Sequence, residues 1–158
     1  MRAFAFLEHT MQIYVACLAS YNAGVLHGEW IDLEGRDADD VRDEIARILR
    51  ESPHPNVTVA CPDCAGRGYG RHVASCLSAE RHPCSGCNCT GNVPSAEEWA
   101  VHDYDDLPAS WGEYPDLDKL CEFVETLEEL DDGEREAFIT YRDNEGDHVD
   151  LESFRDAY

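Results

Sequence analysis

Two C-x-x-C pairs, Cys61/Cys64 and Cys84/Cys87, stand with 19 residues between them. No other feature of the chain restricts its fold so tightly. Four thiolates presented on two short turns make a closed tetrahedral site for one zinc ion, and in an intracellular protein such spacing is a strong signal. The first pair reads Cys61-Pro62-Asp63-Cys64-Ala65-Gly66-Arg67-Gly68, a knuckle whose glycines let backbone N–H groups turn toward the sulfurs. The second reads Cys84-Ser85-Gly86-Cys87, with Cys89-Thr90-Gly91 close behind. Cys87 and Cys89 compete for the last ligand position, because the glycine two residues beyond Cys64 finds its counterpart behind Cys89. His72, Cys76 and His82 are spare donors of a kind more often found in loops. Cys17 and Cys121 lie in apolar runs and read as buried thiols.

Residues 56–93, which hold this cluster, are rich in glycine, cysteine and turn formers, and carry only Asp63 and Glu80 as acids. Arg67, Arg71 and Arg81 make the segment mildly basic. So few apolar side chains cannot form a core, and a bound metal would supply most of the folding free energy there. A closed four-sulfur site leaves no open coordination position, which makes the role structural.

Beyond residue 92 the composition changes sharply. Twenty-two carboxylates fall in residues 93–158 against Lys119, Arg135, Arg142 and Arg155, a net charge of −18 out of −22 for the whole chain. Such asymmetry raises the free energy of the compact state by self-repulsion and points to a partner that normally holds a polyanion. Direct binding of nucleic acid is excluded, since that needs clustered Lys and Arg. An anionic membrane is disfavoured for the same reason. No stretch approaches the roughly 18 apolar residues of a membrane span. The start of the chain is interrupted by Glu8 and His9 and no cleavage site follows, which reads as cytoplasmic protein.

The hydrophobic pattern predicts strands at 12–18 and 28–33, with turn chemistry at Tyr21-Asn22-Ala23-Gly24 between them. A helix is expected over 38–51, with Asp37 or Asp39 as its N-cap, stopped by Ser52-Pro53-His54-Pro55. Residues 98–104 return to a strand pattern. A helix over 116–130 turns Leu117, Leu120, Cys121, Val124 and Leu127 inward. Two more helical pieces are expected at 134–141 and 151–158. On the outer face of the 116–130 helix, Asp118, Glu122, Glu125 and Glu129 stack at spacings of four, three and four. They place one negative charge roughly every 5–6 Å along the axis. The fold class is α+β: small mixed or antiparallel sheet modules with packed acidic helices, interrupted by a zinc-ribbon-like knuckle insertion.

The first knuckle resembles the zinc-binding repeats of the DnaJ co-chaperone family, although the ligands here suffice for a single ion. A longer likeness begins at residues 13–32. The run IYVACLASYNAGVLHGEWID resembles the opening block of the ArdA antirestriction family. It continues to Glu51-Ser52-Pro53, resumes at 96–104 (AEEWAVHDY), and touches Gly112-Glu113-Tyr114 and 141–146 (YRDNEG). The resemblance implies an elongated, acidic, homodimeric DNA mimic that occupies the DNA groove of type I restriction–modification enzymes. The chain departs from that pattern in two places, so the expected division is an N-terminal α+β domain at 1–55, a knuckle insertion at 56–93 that interrupts the family pattern and a second acidic domain at 94–158, with the family's third domain absent.

The expected function is therefore stoichiometric inhibition, not enzymology. Asp118, Glu122, Glu125, Glu128, Glu129, Asp131 and Asp132 are the candidate contact residues. Asp103, Asp105 and Asp106, with Asp39, Asp40 and Asp43 of the first helix, would extend the footprint. Another DNA-binding defence system, such as a CRISPR effector, is an alternative target. A different class is a zinc-knuckle protein-binding adaptor whose contacts are Arg67, Arg71 and Arg81. A metallohydrolase would have to draw on His102 and Asp103, but His102 lies in a strand-like run where a packed histidine is expected, and no H-E-x-x-H or phosphate loop occurs.

Overall fold

A computed structural model describes residues 10–69, 83–146 and 149–157. His72, Cys76, His82, Arg71 and Arg81 lie outside the described residues. The elements run β1 (Gln12–Cys17), α1 (Leu18–Asn22), β2 (Gly28–Asp32), α2 (Ala38–Arg50), β3 (Val57–Ala60), β4 (Asn92–Ser95), β5 (Trp99–Asp105), a 3-10 turn (Ala109–Trp111), α3 (Leu117–Glu128), α4 (Asp132–Glu145) and α5 (Leu151–Ala157). Among the described residues they make a three-stranded sheet in the order β2-β1-β5 and a two-stranded sheet of β3 and β4. The mixed α+β class is the expected one. No described helix is long and apolar enough to cross a membrane.

The described residues gather into two compact units. One holds the chain up to Val15, Trp30–Glu44 and everything from Val101 on; the other holds Ala16–Glu29 and Ile45–Ala100. In the first, the helices begin where aspartates can cap them. Asp37 accepts from the Asp39 and Asp40 N–H groups at 3.0 and 2.9 Å, which settles the α2 cap in favour of Asp37. Asp116 does the same for α3 through Asp118 and Lys119. Asp131 and Glu134 form a reciprocal capping box at the start of α4. Leu117, Leu120, Cys121, Val124 and Leu127 of α3 are all buried, as the periodicity requires. Phe123 joins them and opens a run of aromatic contacts. It stands 5.6 Å from Trp111 and 6.0 Å from Phe138, which meets Phe154 of α5 at 5.3 Å. Arg142 lies over the Trp111 and Phe123 rings at 4.8 and 4.4 Å.

The second unit buries Cys17, Ser20 and Ser52 together. Cys17 Sγ donates to Ser52 Oγ at 3.3 Å, and the two serine hydroxyls are 2.9 Å apart, so no polar atom of this group is left unmet. His27 Nε2 reaches the Ile48 carbonyl at 2.8 Å, and the Ala96 N–H donates to the Leu49 carbonyl at 3.0 Å. In β3 and β4 the pairing is antiparallel, from Val57 opposite Ser95 to Ala60 opposite Asn92.

Several expected boundaries move. The strand expected to run to residue 18 stops at Cys17, and Leu18–Asn22 turns into a short helix closed by Gly24 at φ +82°. Local β-propensity is overridden there by a turn that closes on itself, with the Ala23 N–H donating to the Ala19 carbonyl at 3.3 Å and the Val25 N–H to the Ser20 carbonyl at 2.9 Å. The helical piece expected at 134–141 is longer at both ends, running to Glu145 before Gly146 at φ +104° ends it. Strands β3 and β4 were not foreseen, because each is stabilised only by the other across more than 30 residues. His102 is exposed on β5 rather than packed.

Candidate functional site

The β3–β4 pair presents the two knuckles side by side. Beyond Ala60 the chain turns through Cys61–Gly68, and before Asn92 it turns through Cys84–Gly91. The two turns repeat each other bond for bond. In the first, the Gly66 N–H donates to the Cys61 carbonyl at 3.1 Å and the Arg67 N–H to the Cys64 carbonyl at 3.1 Å. In the second, the Cys89 N–H donates to Cys84 O and the Thr90 N–H to Cys87 O, both at 3.1 Å. The Gly68 N–H then points at Cys64 Sγ and the Gly91 N–H at Cys87 Sγ, each at 3.2 Å. The knuckles also clasp one another. The Cys61 N–H donates to Gly91 O at 2.8 Å and the Cys84 N–H to Gly68 O at 3.2 Å.

This pairing explains the glycines. A Cβ on Gly68 would stand 2.5 Å from the Cys89 carbonyl oxygen, and one on Gly91 would stand 2.3 Å from that of Gly66. Both glycines also hold positive φ, +78° and +77°. The register that matters is therefore glycine four residues after the second cysteine of each pair. Gly66 at φ +77° corresponds to Cys89 at φ +66°, so Cys89 occupies a glycine's place in the second knuckle.

Cys61, Cys64, Cys84 and Cys87 are buried, and their sulfurs all lie within 4.8 Å of one another. Cys61 and Cys84 are 3.9 Å apart at sulfur, Cys64 and Cys87 3.8 Å. A disulfide would require about 2.05 Å. Tetrahedral thiolates at a zinc–sulfur distance of about 2.3 Å have edges of about 3.8 Å, so the cluster has the dimensions of a four-thiolate metal site. These four residues can hold a metal ion; Cys89 is exposed and stands outside the group. Burial resists ionisation of Cys64, yet the Gly68 N–H and the neighbouring thiols Cys87, Cys61 and Cys84 outweigh it and bring its pKa down to about 7. Burial and the adjoining Cys87 and Cys61 sulfurs push Cys84 up to about 11. Cys64 thus ionises readily while Cys84 holds its proton, as expected of sulfurs that share one small space.

In the other unit, α3 turns Asp118, Glu122, Glu125, Glu128 and Glu129 to solvent, and Asp131 and Asp132 follow, also exposed. Asp39, Asp40, Asp43, Asp103, Asp105 and Asp106 are exposed as well. Several of these acids hold the fold together. Arg42 is shared between Asp39 and Asp118, whose carboxylates raise its pKa. Glu128 accepts from the Gly35 N–H at 2.8 Å, Asp131 caps α4, and Asp132 lies 3.6 Å from Arg135. The Asp118–Arg42 and Glu128–Gly35 contacts join residues 76 and 93 positions apart, beyond any short-range pattern. Among the described residues, the carboxylates of Glu122, Glu125 and Glu129 meet no cation.

The fold and its sites define an acidic α+β protein with a buried cluster of four thiols that can hold a metal ion, carried on the turns beyond β3 and before β4. The chain belongs to the ArdA antirestriction protein family, whose model matches residues 13–158. Members of that family are inhibitors rather than enzymes. No curated protein shows a significant match to the chain.

Proposed function

We propose that the chain is a DNA mimic that inhibits a type I restriction–modification enzyme by filling its DNA groove with carboxylates in place of phosphates. The observation that carries this reading is the outer face of α3, where Glu122, Glu125 and Glu129 stand exposed and meet no described cation. Family membership supports the antirestriction role. One charge per roughly 5.5 Å on α3 is sparser than the phosphates of one DNA strand at about 3.4 Å. Glu128, Asp131 and Asp132 fill the gaps, and Asp103, Asp105, Asp106, Asp39, Asp40 and Asp43 extend the footprint. The target's Lys and Arg meet this surface in a fast encounter that weakens with salt.

In this reading the knuckle at 56–93 is an insertion between a family domain at 1–55 and an acidic one at 94–158, and the protein acts in the cytoplasm as a homodimer. The metal of the clasp is one zinc ion held by Cys61, Cys64, Cys84 and Cys87. When bound, it neutralises crowded thiolates and stabilises the fold. The chain's own Gly68 and Gly91 N–H groups orient two of the sulfurs.

Cleavage of unmodified DNA by a purified type I enzyme tests the proposal. The wild-type chain protects at near-stoichiometric ratios, each single Glu→Gln variant costs little, and the triple variant E122Q/E125Q/E129Q loses protection by tenfold or more while its far-UV spectrum is unchanged. Full protection by the folded triple variant would overturn it. Protection restricted to a CRISPR effector would move the target.

A further inference from the structure

A second surface of the acidic unit differs in kind from the face of α3. A groove of about 570 Å³ lies between α4, the end of α3 and the loop before the 3-10 turn. Its floor is apolar, made by Met11, Leu107, Pro108, Leu127 and Ile139. Met11 and Leu127 are fully buried beneath it, and Leu107, Pro108 and Ile139 are half-exposed along it. Its rim is anionic: Asp106, Asp132, Glu136 and Asp143. The cation at the edge, Arg135, is already committed, its Nε donating to the Leu127 carbonyl at 2.7 Å and its guanidinium facing Asp132.

The groove follows one face of α4, because Asp132, Glu136, Ile139 and Asp143 recur at helical spacing. From Asp132 to Asp143 that face is roughly 16 Å long, enough for about three turns of a docked helix. A phosphate counterfeit needs carboxylates and no more. An apolar floor beneath an anionic rim is complementary to something else: a helix with apolar anchors flanked by Lys and Arg.

We propose that this groove docks a cationic amphipathic helix of a partner protein. The anchors bury on the half-exposed Leu107, Pro108 and Ile139, and the flanking cations meet Asp106, Asp132, Glu136 and Asp143. Apolar burial sets the affinity, and charge sets the orientation and rate of docking. Asp106 and Asp132 belong to the proposed mimic footprint as well, but the inference does not depend on DNA mimicry, since it rests on the apolar floor that a phosphate counterfeit does not need.

Titration of the full chain with a labelled helical peptide of Leu and Lys at i, i+3, i+4 spacing tests it, with oligolysine of equal charge as the comparison. The amphipathic peptide should bind at least about tenfold tighter than oligolysine in 0.15 M salt. T140W, which plugs the groove from an exposed position, and I139D, which charges its floor, should each remove that excess, and E122Q/E125Q should leave it. T140W keeps the test decisive if I139D fails to fold. Equal affinity for oligolysine would overturn the proposal, as would unchanged peptide binding by folded T140W. Peptide binding that appears only after deletion of residues 1–9 would also overturn it, because the groove would then belong to the chain itself.

Discussion

Cys89 gives the sharpest test of the metal site. It holds φ +66° where the matching knuckle has Gly66 at +77°, and its sulfur is outside the group of four. A non-glycine residue in this left-handed region costs about 1–2 kcal/mol. Replacing it by glycine removes that strain and adds about 0.5–1 kcal/mol of backbone entropy loss. C89G should therefore be unchanged or more stable by up to about 1.5 kcal/mol, with full metal binding. C87S removes a ligand. Structural zinc sites contribute about 10–16 kcal/mol over four ligands, so losing one should weaken binding by about a hundredfold or more. G91A leaves every thiol in place but drives a Cβ to 2.3 Å from the Gly66 carbonyl oxygen, backbone against backbone, and should damage the site as C87S does. Titration with Co2+ separates these outcomes, because the thiolate-to-cobalt absorption counts sulfur ligands. If C89G lost a quarter of that absorption, or bound as weakly as C87S, the assignment of the four ligands would be wrong.

Three further outcomes follow from particular contacts. D131A opens the capping box of α4 and should cost about 1 kcal/mol, read as a lower midpoint in urea unfolding with an unchanged slope. Metal uptake must displace protons from the sulfurs, above all from Cys84, which is held up to about 11; affinity measured by chelator competition should rise steadily from pH 6 to 8. Burial pushes Tyr104 up to about 12, and its hydroxyl donates to the Gly112 carbonyl at 2.6 Å. The folded pKa lies above the unfolded value, so this contribution is complete below about pH 10 and is lost as pH rises through 12. Absorbance at 295 nm should show one tyrosine titrating late, and Y104F should abolish that phase.

The parts of this fold that were legible in the sequence are those fixed by neighbours along the chain. The apolar stripe of α3 and the cap at Asp37 depend on contacts within four residues, and they stand where the sequence pattern puts them. Helix α1 was hidden because Tyr14-Val15-Ala16-Cys17-Leu18 favours a strand, whereas the turn that follows is closed by the Ala23 and Val25 N–H groups on the Ala19 and Ser20 carbonyls. Strands β3 and β4 exist only as a pair, so neither segment announces itself. The Cys87 and Cys89 ambiguity came from aligning the wrong glycine. Matching Gly68 with Gly91, four residues beyond the second cysteine in each knuckle, sets Cys87 opposite Cys64. What no spacing could reveal is that Asp118 and Glu128 hold the fold through Arg42 and the Gly35 N–H, across 76 and 93 residues of chain.

The most direct measurement is equilibrium displacement of a labelled DNA duplex from a type I restriction–modification enzyme by the intact chain, repeated from 50 to 300 mM salt. The account predicts mutually exclusive binding, with the chain's affinity falling linearly against the logarithm of salt and falling further in E122Q/E125Q/E129Q. A ternary complex of enzyme, duplex and chain, or inhibition indifferent to salt, would contradict it.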